Sequence, residues 1–536
     1  MDELPVIERV AGKILGAQAR VRGAKPFVHC GSMWHSFAQM NRRANRVANG
    51  FASLGIGKGA RVAILLRNRL EYLDLWFGLS KLGAVQMPLN IEYRSEQIRQ
   101  TLQRSPVDLV VTEVGLLCEL NGAYGKMSGV PATLVMGATT DEPPEATAGG
   151  RPYASAVANA PDSEPASSAA VCGADAGAIM NTSGTTGPSK GVVLSHAQQY
   201  ILGRNIAADM ELGAQDVYYN CFPLFHNTAQ AMITMPVLLS GARMVLKERF
   251  SASRFWSETA EHGCTAFYYI GEILRILLRT TRTEEARETR LRVGWGIGAS
   301  PRDFADFQSR FNIRLRTGYG STEANVPCFL PPQAARPGSA GRPLPEFEIR
   351  IADESSEPVP PGASGEILVR SSEPHALMLG YDADPVATVA AWRDLWLHTG
   401  DAGYLDEDGQ LFFTGRLKDA IRVRGENVSA FEVEEAMAAL DGVVEVAAIG
   451  VPSELGGDDL KIVVVRQEAA ALTAEDLVDW ACVRLPRYAV PRYVEFVDAL
   501  PKTPTNKVQK HLLRLHACNA NTWDRVSQSP GRLRRP

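Results

Sequence analysis

Residues 61–90, RVAILLRNRLEYLDLWFGLSKLGAVQMPLN, read as strand, amphipathic helix, strand. Leu75, Leu79 and Leu82 recur at helical spacing, and Gly83 suits a helix end. After a polar interval comes a further apolar run, VDLVVTEVG, and the alternation predicts a doubly wound α/β sheet. From about 191 to 320 strand and helix signals alternate again (GARMVLKE, TAFYYIGEILRILL, RVGWGIG), which predicts a second α/β unit. Residues 338–415 hold short strands with Gly and Pro turns, more like a small barrel or meander. After GRLKD, Ser429-x-x-Glu432 forms a capping box before a short helix. Two strands, a helix near 473–485 and a last strand, RYVEFVDAL, then make a compact α+β unit. The stretch 139–175, rich in Pro, Ala, Ser, Glu and Gly, is expected to be an exposed, mobile connection. The tail NTWDRVSQSPGRLRRP is expected to fray.

Composition narrows the class. A chain of 536 residues, 45% apolar and 22% charged, is that of an ordinary globular protein with three or four domains or subdomains. A formal net charge of −4 argues against a nucleic-acid partner and a polybasic membrane anchor. The eight cysteines show no C-x-x-C pair, which disfavours a zinc ribbon or a disulfide framework and fits a reduced cytosol. The acidic start MDELPVIERV does not suit a signal peptide, and no apolar stretch approaches a membrane span. A cytoplasmic protein is expected.

Four segments carry candidate chemistry. NTSGTTGPSKGVVLSH (181–196) joins two expected strands and offers backbone N–H groups at successive glycines, hydroxyls and Lys190. Such a run suits phosphate, although a bare Ser/Thr/Gly turn would explain a lesser version of it. It is not a Walker loop: Ser189 stands where G-x-x-x-x-G-K-[ST] wants glycine, and Gly191 where it wants Ser or Thr. TGYGSTEAN (317–325) sets Tyr319 between Gly318 and Gly320, with Thr322 and the hard-oxygen donor Glu323 following. In HTGDAGYLDEDGQLFFTGRLKD, Asp401 and Arg416 are read at two successive turns, where a carboxylate would clasp ribose hydroxyls. PKTPTNKVQK holds Lys507, which by itself reads as a solvated lysine.

In this order and at these separations, TSGTTGPSKG, YGSTE, HTGD, GRLKD and the late lysine resemble the adenylate-forming superfamily. That superfamily includes acyl-CoA synthetases, firefly-luciferase-like enzymes and nonribosomal peptide adenylation domains. The resemblance runs from RVAILLRNRLEYL to KVQK. It implies an α/β fold: a large N-terminal domain (1–417) of two doubly wound α/β subdomains plus a small β-barrel, then a mobile α+β C-terminal domain (418–515). Residues 516–536 would be a disordered tail.

Residue by residue, the resemblance assigns Thr182, Ser183, Gly184, Thr185, Thr186, Gly187 and Lys190 to the phosphate loop. Gly298, Ala299 and Ser300 would form one wall of an adenine slot and Tyr319 the other, with Gly320 and Ser321 in the same nucleotide-binding turn. Thr322 would touch the α-phosphate, Glu323 and Thr182 would serve Mg²⁺, and Asp401 and Arg416 would hold the ribose. Lys418 stands at the hinge position, Gly425 at the pantetheine channel and Lys507 at the lysine of the adenylation step. Glycine usually precedes that lysine in the family; here Asn506 does, a residue tolerant of left-handed backbone.

The resemblance implies ATP, Mg²⁺ and coenzyme A acting with a small carboxylic acid, and leaves a homodimer open. His226 in FPLFHNTAQ replaces the Asp that amino-acid-activating relatives use for an α-ammonium, and would border the acyl pocket and thiol channel. Only about thirty residues follow Lys507, so coenzyme A is preferred to a carrier-protein thiol or an amine as acceptor. RFSASRFW, YYIGEILRILL and RGENVSAFEVE are similar to the crotonobetaine/carnitine–CoA ligase and fatty-acid-transport-protein groups. The acid is thus either fatty, alicyclic or steroid-type, or carnitine-like. The second would need an aromatic cage or a carboxylate; Trp256, Tyr268, Tyr269 and Trp295 are candidates for the cage, though packing explains them equally. A phosphotransferase would need a true G-K-[ST] loop, and a catalytically dead binding protein would have lost Lys190, Glu323, Asp401, Arg416 or Lys507; neither fits.

Overall fold

The computed structural model describes residues 3–137, 150–181, 190–280, 286, 288–330, 336–417, 420–423, 426–453, 458–467, 472–502, 508–515, 518–519 and 521–528. The chain divides into two compact units. One comprises 1–182, 189–348 and 369–397, the other 183–188, 349–368 and 398–536.

The first unit is built on two large sheets. An eight-stranded sheet runs in the order Gly380–Tyr381, Gly191–Ser195, Ala176–Asn181, Val85–Pro88, Arg61–Leu65, Leu109–Glu113, Ala132–Met136, Arg151–Pro152. Its centre is parallel and buried on both faces, so its strands read as continuous apolar runs. The predicted helix lies at Leu70–Leu82, where Gly83 takes the left-handed conformation that ends it.

The second sheet has nine strands. Its order is Arg342–Pro343, Asn325–Phe329, Arg314–Ser321, Val293–Ile297, Ala266–Ile270, Val217–Asn220, Arg243–Leu246, Pro26–Cys30, Met33–Ser36. Phe255, Phe267, Tyr269, Phe307 and Phe311 fill the core beneath it.

The 139–175 connection departs from expectation over its described part. Asn45 and Asn49, on the helix Phe37–Ser53, donate to the carbonyls of Asp162, Pro161 and Ser163. The fully buried Lys81 ammonium pairs with Glu164 at 2.6 Å. Side-chain donors on two helices pin a segment whose composition alone suggests mobility.

The second unit carries most of a five-stranded sheet ordered Phe347–Ala352, Gly365–Ser371, Trp396–Leu405, Trp392–Arg393, with Leu411–Arg416 also pairing with Trp396–Leu405. It also contains the α+β segment read from the sequence. Ser429 caps the helix Ala430–Ala438 by accepting from Glu432 N, and Thr473 and Asp476 form a full capping box on Ala474–Arg484. Val433, Met437, Ile462, Val464 and Leu477 centre its core.

The expected frayed tail is ordered over 521–528. Thr522–Asp524 pairs antiparallel with Tyr493–Phe496, and Trp523 packs on the apolar core. Arg492 reaches Asp524 at 3.3 Å, so one tryptophan and one ion pair hold a segment that four arginines made look solvated. Among the described residues no helix is long and apolar enough to cross a membrane.

Candidate active site

Parallel pairing puts two of the predicted segments side by side. Val293–Ile297 and Arg314–Ser321 are neighbours in register, Gly296 opposite Thr317, so Gly298–Ser300 and the segment Tyr319–Glu323 lie at the same end of the sheet. A crevice at the carboxyl ends of parallel strands is where open α/β sheets bind ligands. Gly298 has φ +73°, and a Cβ on Gly271 would lie 1.9 Å from the Gly298 carbonyl oxygen, so the wall needs a bare backbone at both positions. Ser300 Oγ accepts from Asp303 N at 3.1 Å and caps the helix Pro301–Phe311, while Ala299 packs at the edge of the core.

Beyond Tyr319 the chain reverses tightly. Tyr319 is buried and lies opposite Cys328, and Ser321 pairs with Asn325. A Cβ on Gly320 would lie 2.3 Å from the Asn325 carbonyl oxygen. Ser321 Oγ accepts from Ala324 N, and Asn325, at φ +65°, donates through Nδ2 to the Ala376 carbonyl. Thr322 and Glu323 therefore sit at the tip of a hairpin closed by its own backbone.

Helix His196–Asp209 ties this tip to the His226 segment. Gln198 Nε2 donates to the Thr322 carbonyl at 3.0 Å, and its neighbour Gln199 donates to Asn227 Oδ1 at 3.2 Å. His226 is half-buried, its ring 4.8 Å from that of Phe225, and it precedes a π-helical stretch, Thr228–Thr234. Such stretches concentrate at functional sites. Within the π-helix, Gln230 is fully buried and exchanges hydrogen bonds with Gln86, with Gln86 Nε2 donating at 2.6 Å.

Glu323 meets a residue that the sequence reading did not select. Tyr381 donates its hydroxyl to Glu323 Oε1 at 3.2 Å, and Lys190 Nζ lies 4.5 Å from the centre of the same ring. Nothing periodic in LGYDADP marks Tyr381; the only sequence signal was a glycine–tyrosine pair ahead of a proline-started helix. Glu323 would offer a hard carboxylate oxygen of the kind Mg²⁺ takes beside nucleotide phosphates, so the residue fits that ion.

The candidate cage aromatics are committed elsewhere. Trp256 packs among Phe255, Phe307 and Phe311, and Tyr269 gives its hydroxyl to the Arg316 carbonyl. Trp295 is fully buried and donates Nε1 to Asp209, while Tyr268 lies between Phe222 and Trp295.

In the second unit Asp401 and Arg416 stand in strands, not turns. They face each other across Trp396–Leu405 and Leu411–Arg416, whose pairing runs on to Leu405 and Leu411 with one register shift between Ala402 and Gly403. His398 Nδ1 lies 2.8 Å from Glu366 Oε2, and Glu366 also accepts from Gly400 N. Thr182 to Gly187, Lys418, Gly425 and Lys507 lie outside the described residues. The strands flanking the first group, Ala176–Asn181 and Gly191–Ser195, pair as expected, and Lys502 and Val508 bridge on either side of 503–507.

Residues 15–382 match the AMP-binding enzyme family, and residues 432–507 match the AMP-binding enzyme C-terminal domain. The chain belongs to the AMP-binding enzyme family. It is 31% identical over 489 residues to a crotonobetaine/carnitine–CoA ligase of Salmonella enteritidis PT4, covering 89% of this chain and 93% of that one. The structure of ATP-bound MatB from Rhodopseudomonas palustris is similar at a TM-score of 0.83 and 26% identity, over 95% of this chain and 98% of that one. The anthranilate CoA ligase AuaEII in complex with anthranoyl-AMP shares the fold, with a TM-score of 0.86 at 24% identity, over 96% and 98% of the two chains.

Proposed function

We propose that the chain joins a carboxylic acid to coenzyme A in two steps. The acid first attacks the α-phosphate of ATP, giving acyl-AMP and pyrophosphate; the thiol of coenzyme A then takes the acyl group and releases AMP. The class is that of AMP-forming acid–thiol ligases. The observation that carries the reading is the register that sets Gly298–Ser300 beside Tyr319–Glu323 at one end of the sheet.

In this reading the adenine lies between the Gly298–Ser300 backbone and Tyr319, and Lys190 and the 182–187 loop hold the outgoing phosphates. Thr322 touches the α-phosphate, and Asp401 and Arg416 clasp the ribose hydroxyls. Glu323, with Thr182, would hold Mg²⁺, which supplies charge neutralisation on the phosphates. Lys507 places a cation where negative charge builds as carboxylate meets phosphate. Lys418 is the hinge and Gly425 lines the thiol channel, so the segment beyond 418 serves the two steps in different orientations. His226 borders the acyl pocket and thiol channel.

For the acid, commitment of Trp256, Tyr269 and Trp295 to packing favours a fatty, alicyclic or steroid-type substrate. The carnitine-like reading is supported by the Salmonella relative. Release of AMP and pyrophosphate, followed by ³¹P NMR over a panel of both acid types with and without coenzyme A, tests the reaction and the acid together. ADP as the main product from an accepted acid would end the proposal.

A further inference from the structure

We infer that Tyr381 is a positioning residue for adenylation: one side chain holds both the Glu323 carboxylate and the Lys190 ammonium in place for the ATP phosphates. The inference rests on the reading of Glu323 and Lys190 given above.

Tyr381 is itself held from both sides. With Gly380 it forms a two-residue edge strand antiparallel to Gly191–Ser195, the strand that follows Lys190, with Tyr381 opposite Val192. Leu379 N donates to the Val193 carbonyl and Asp382 N to the Gly191 carbonyl at 2.7 Å. Tyr381 N donates to Thr388 Oγ1 at 2.9 Å, and the buried Asp382 carboxylate pairs with Arg61 at 2.8 Å. Gly380 has φ +146°, where a Cβ would lie 2.9 Å from the Thr388 methyl carbon. On the other side, Met378 N donates to the Glu323 carbonyl at 2.9 Å, so this segment fixes the Glu323 backbone as well as its side chain.

The two contacts do different work. A hydroxyl donated to a carboxylate oxygen selects one rotamer of a side chain with three free torsions, and such orienting partners set the metal affinity of the group they hold. The ring face attracts an ammonium without supplying a fixed counter-anion, so the contact restricts the Lys190 side chain and leaves no carboxylate to compete with phosphate in that contact. A tyrosine present only for packing would need neither contact.

The test uses the full-length protein, a non-hydrolysable ATP analogue titrated calorimetrically, and Mn²⁺ binding followed by electron paramagnetic resonance. Tyr381→Phe keeps the ring and removes the hydroxyl. It should raise the metal concentration for half-maximal analogue binding about tenfold and leave metal-free analogue affinity near normal. Tyr381→Leu should in addition weaken metal-free analogue binding about threefold, through loss of the ring under Lys190. In a Glu323→Gln background, Tyr381→Phe should add nothing to the metal requirement. Unchanged metal dependence in Tyr381→Phe, or effects that multiply in the double variant, would overturn the inference while Glu323→Gln alone still raises the requirement. If Glu323→Gln leaves it unchanged, the Glu323 assignment fails and the inference with it. Should Tyr381→Leu not fold, the Phe variant and the double variant decide.

Discussion

Asp401 and Arg416 face each other across an antiparallel strand pair, with Arg416 Nε 3.1 Å from Asp401 Oδ1. The aspartate is buried and the arginine half-exposed, so the pair presents a fixed carboxylate with a movable cation beside it. If they clasp ribose, Asp401→Asn should raise the KM for ATP about tenfold, the scale of one charged hydrogen bond. The KM for the acid should stay within about twofold. Initial-rate kinetics with each substrate varied separately will decide, and a rise confined to the acid would remove Asp401 from the nucleotide site.

The segment beyond Lys418 allows a second separation. Lys507→Ala should slow acyl-AMP formation by a hundred- to a thousandfold, roughly what removal of a transition-state charge donor costs. It should still convert supplied acyl-AMP and coenzyme A to thioester at near the normal rate. If Gly425 lines the thiol channel as proposed, Gly425→Leu should do the reverse, because a side chain there would narrow that channel without touching ATP. Equal slowing of both half-reactions by Lys507→Ala would end the two-orientation scheme.

Period and punctuation were enough to find the parallel core and the helix ending at Gly83, because buried parallel strands leave apolar runs and helix ends need special residues. The glycine- and hydroxyl-rich segments stood out by composition. What stayed hidden depends on partners distant in sequence. Tyr381 acquires meaning only through Glu323, 58 positions away, and Lys190. Asn45 and Asn49 pin a segment more than a hundred positions later, where local composition says only loop. Asp401 reads as a turn residue from its local sequence, whereas its strand is set by pairing with Leu411–Arg416.

Gln86 and Gln230 form a buried amide pair behind the His226 segment. Gln230 Nε2 also donates to the Leu224 carbonyl at 2.7 Å, so removing either amide strands polar groups away from water. Gln230→Leu or Gln86→Leu should each cost about 1–3 kcal/mol in unfolding free energy. The double variant should cost clearly less than the sum, since both halves of the pair then leave together. Urea unfolding of the four proteins measures this; strict additivity would mean the pair carries no joint energy.

The last prediction concerns acid stability, and two buried groups pull it in opposite directions. Burial, the larger influence, holds His196 at about 4 against an ordinary value of 6.5, with Asp175 opposing and Lys58 assisting. Its folded form binds protons less readily than its unfolded form, so its stability contribution is complete above about pH 6.5 and is lost as pH falls toward 4. Burial also pushes Asp74 up to about 6 from 3.8, against the pull of the Arg43 hydrogen bonds and charge and with help from Glu71. Here the folded form binds protons more readily, so stability is gained as pH falls from about 6 to about 4. Each change is worth about 3 kcal/mol across its window. They nearly offset in the native chain, and only variants expose them. His196→Gln should become relatively more stable than the native protein between pH 7 and 4.5, and Asp74→Asn relatively less stable. Denaturant unfolding at the two pH values gives both differences. A His196→Gln difference that does not change with pH would mean that His196 takes up its proton in the folded state as readily as in the unfolded one.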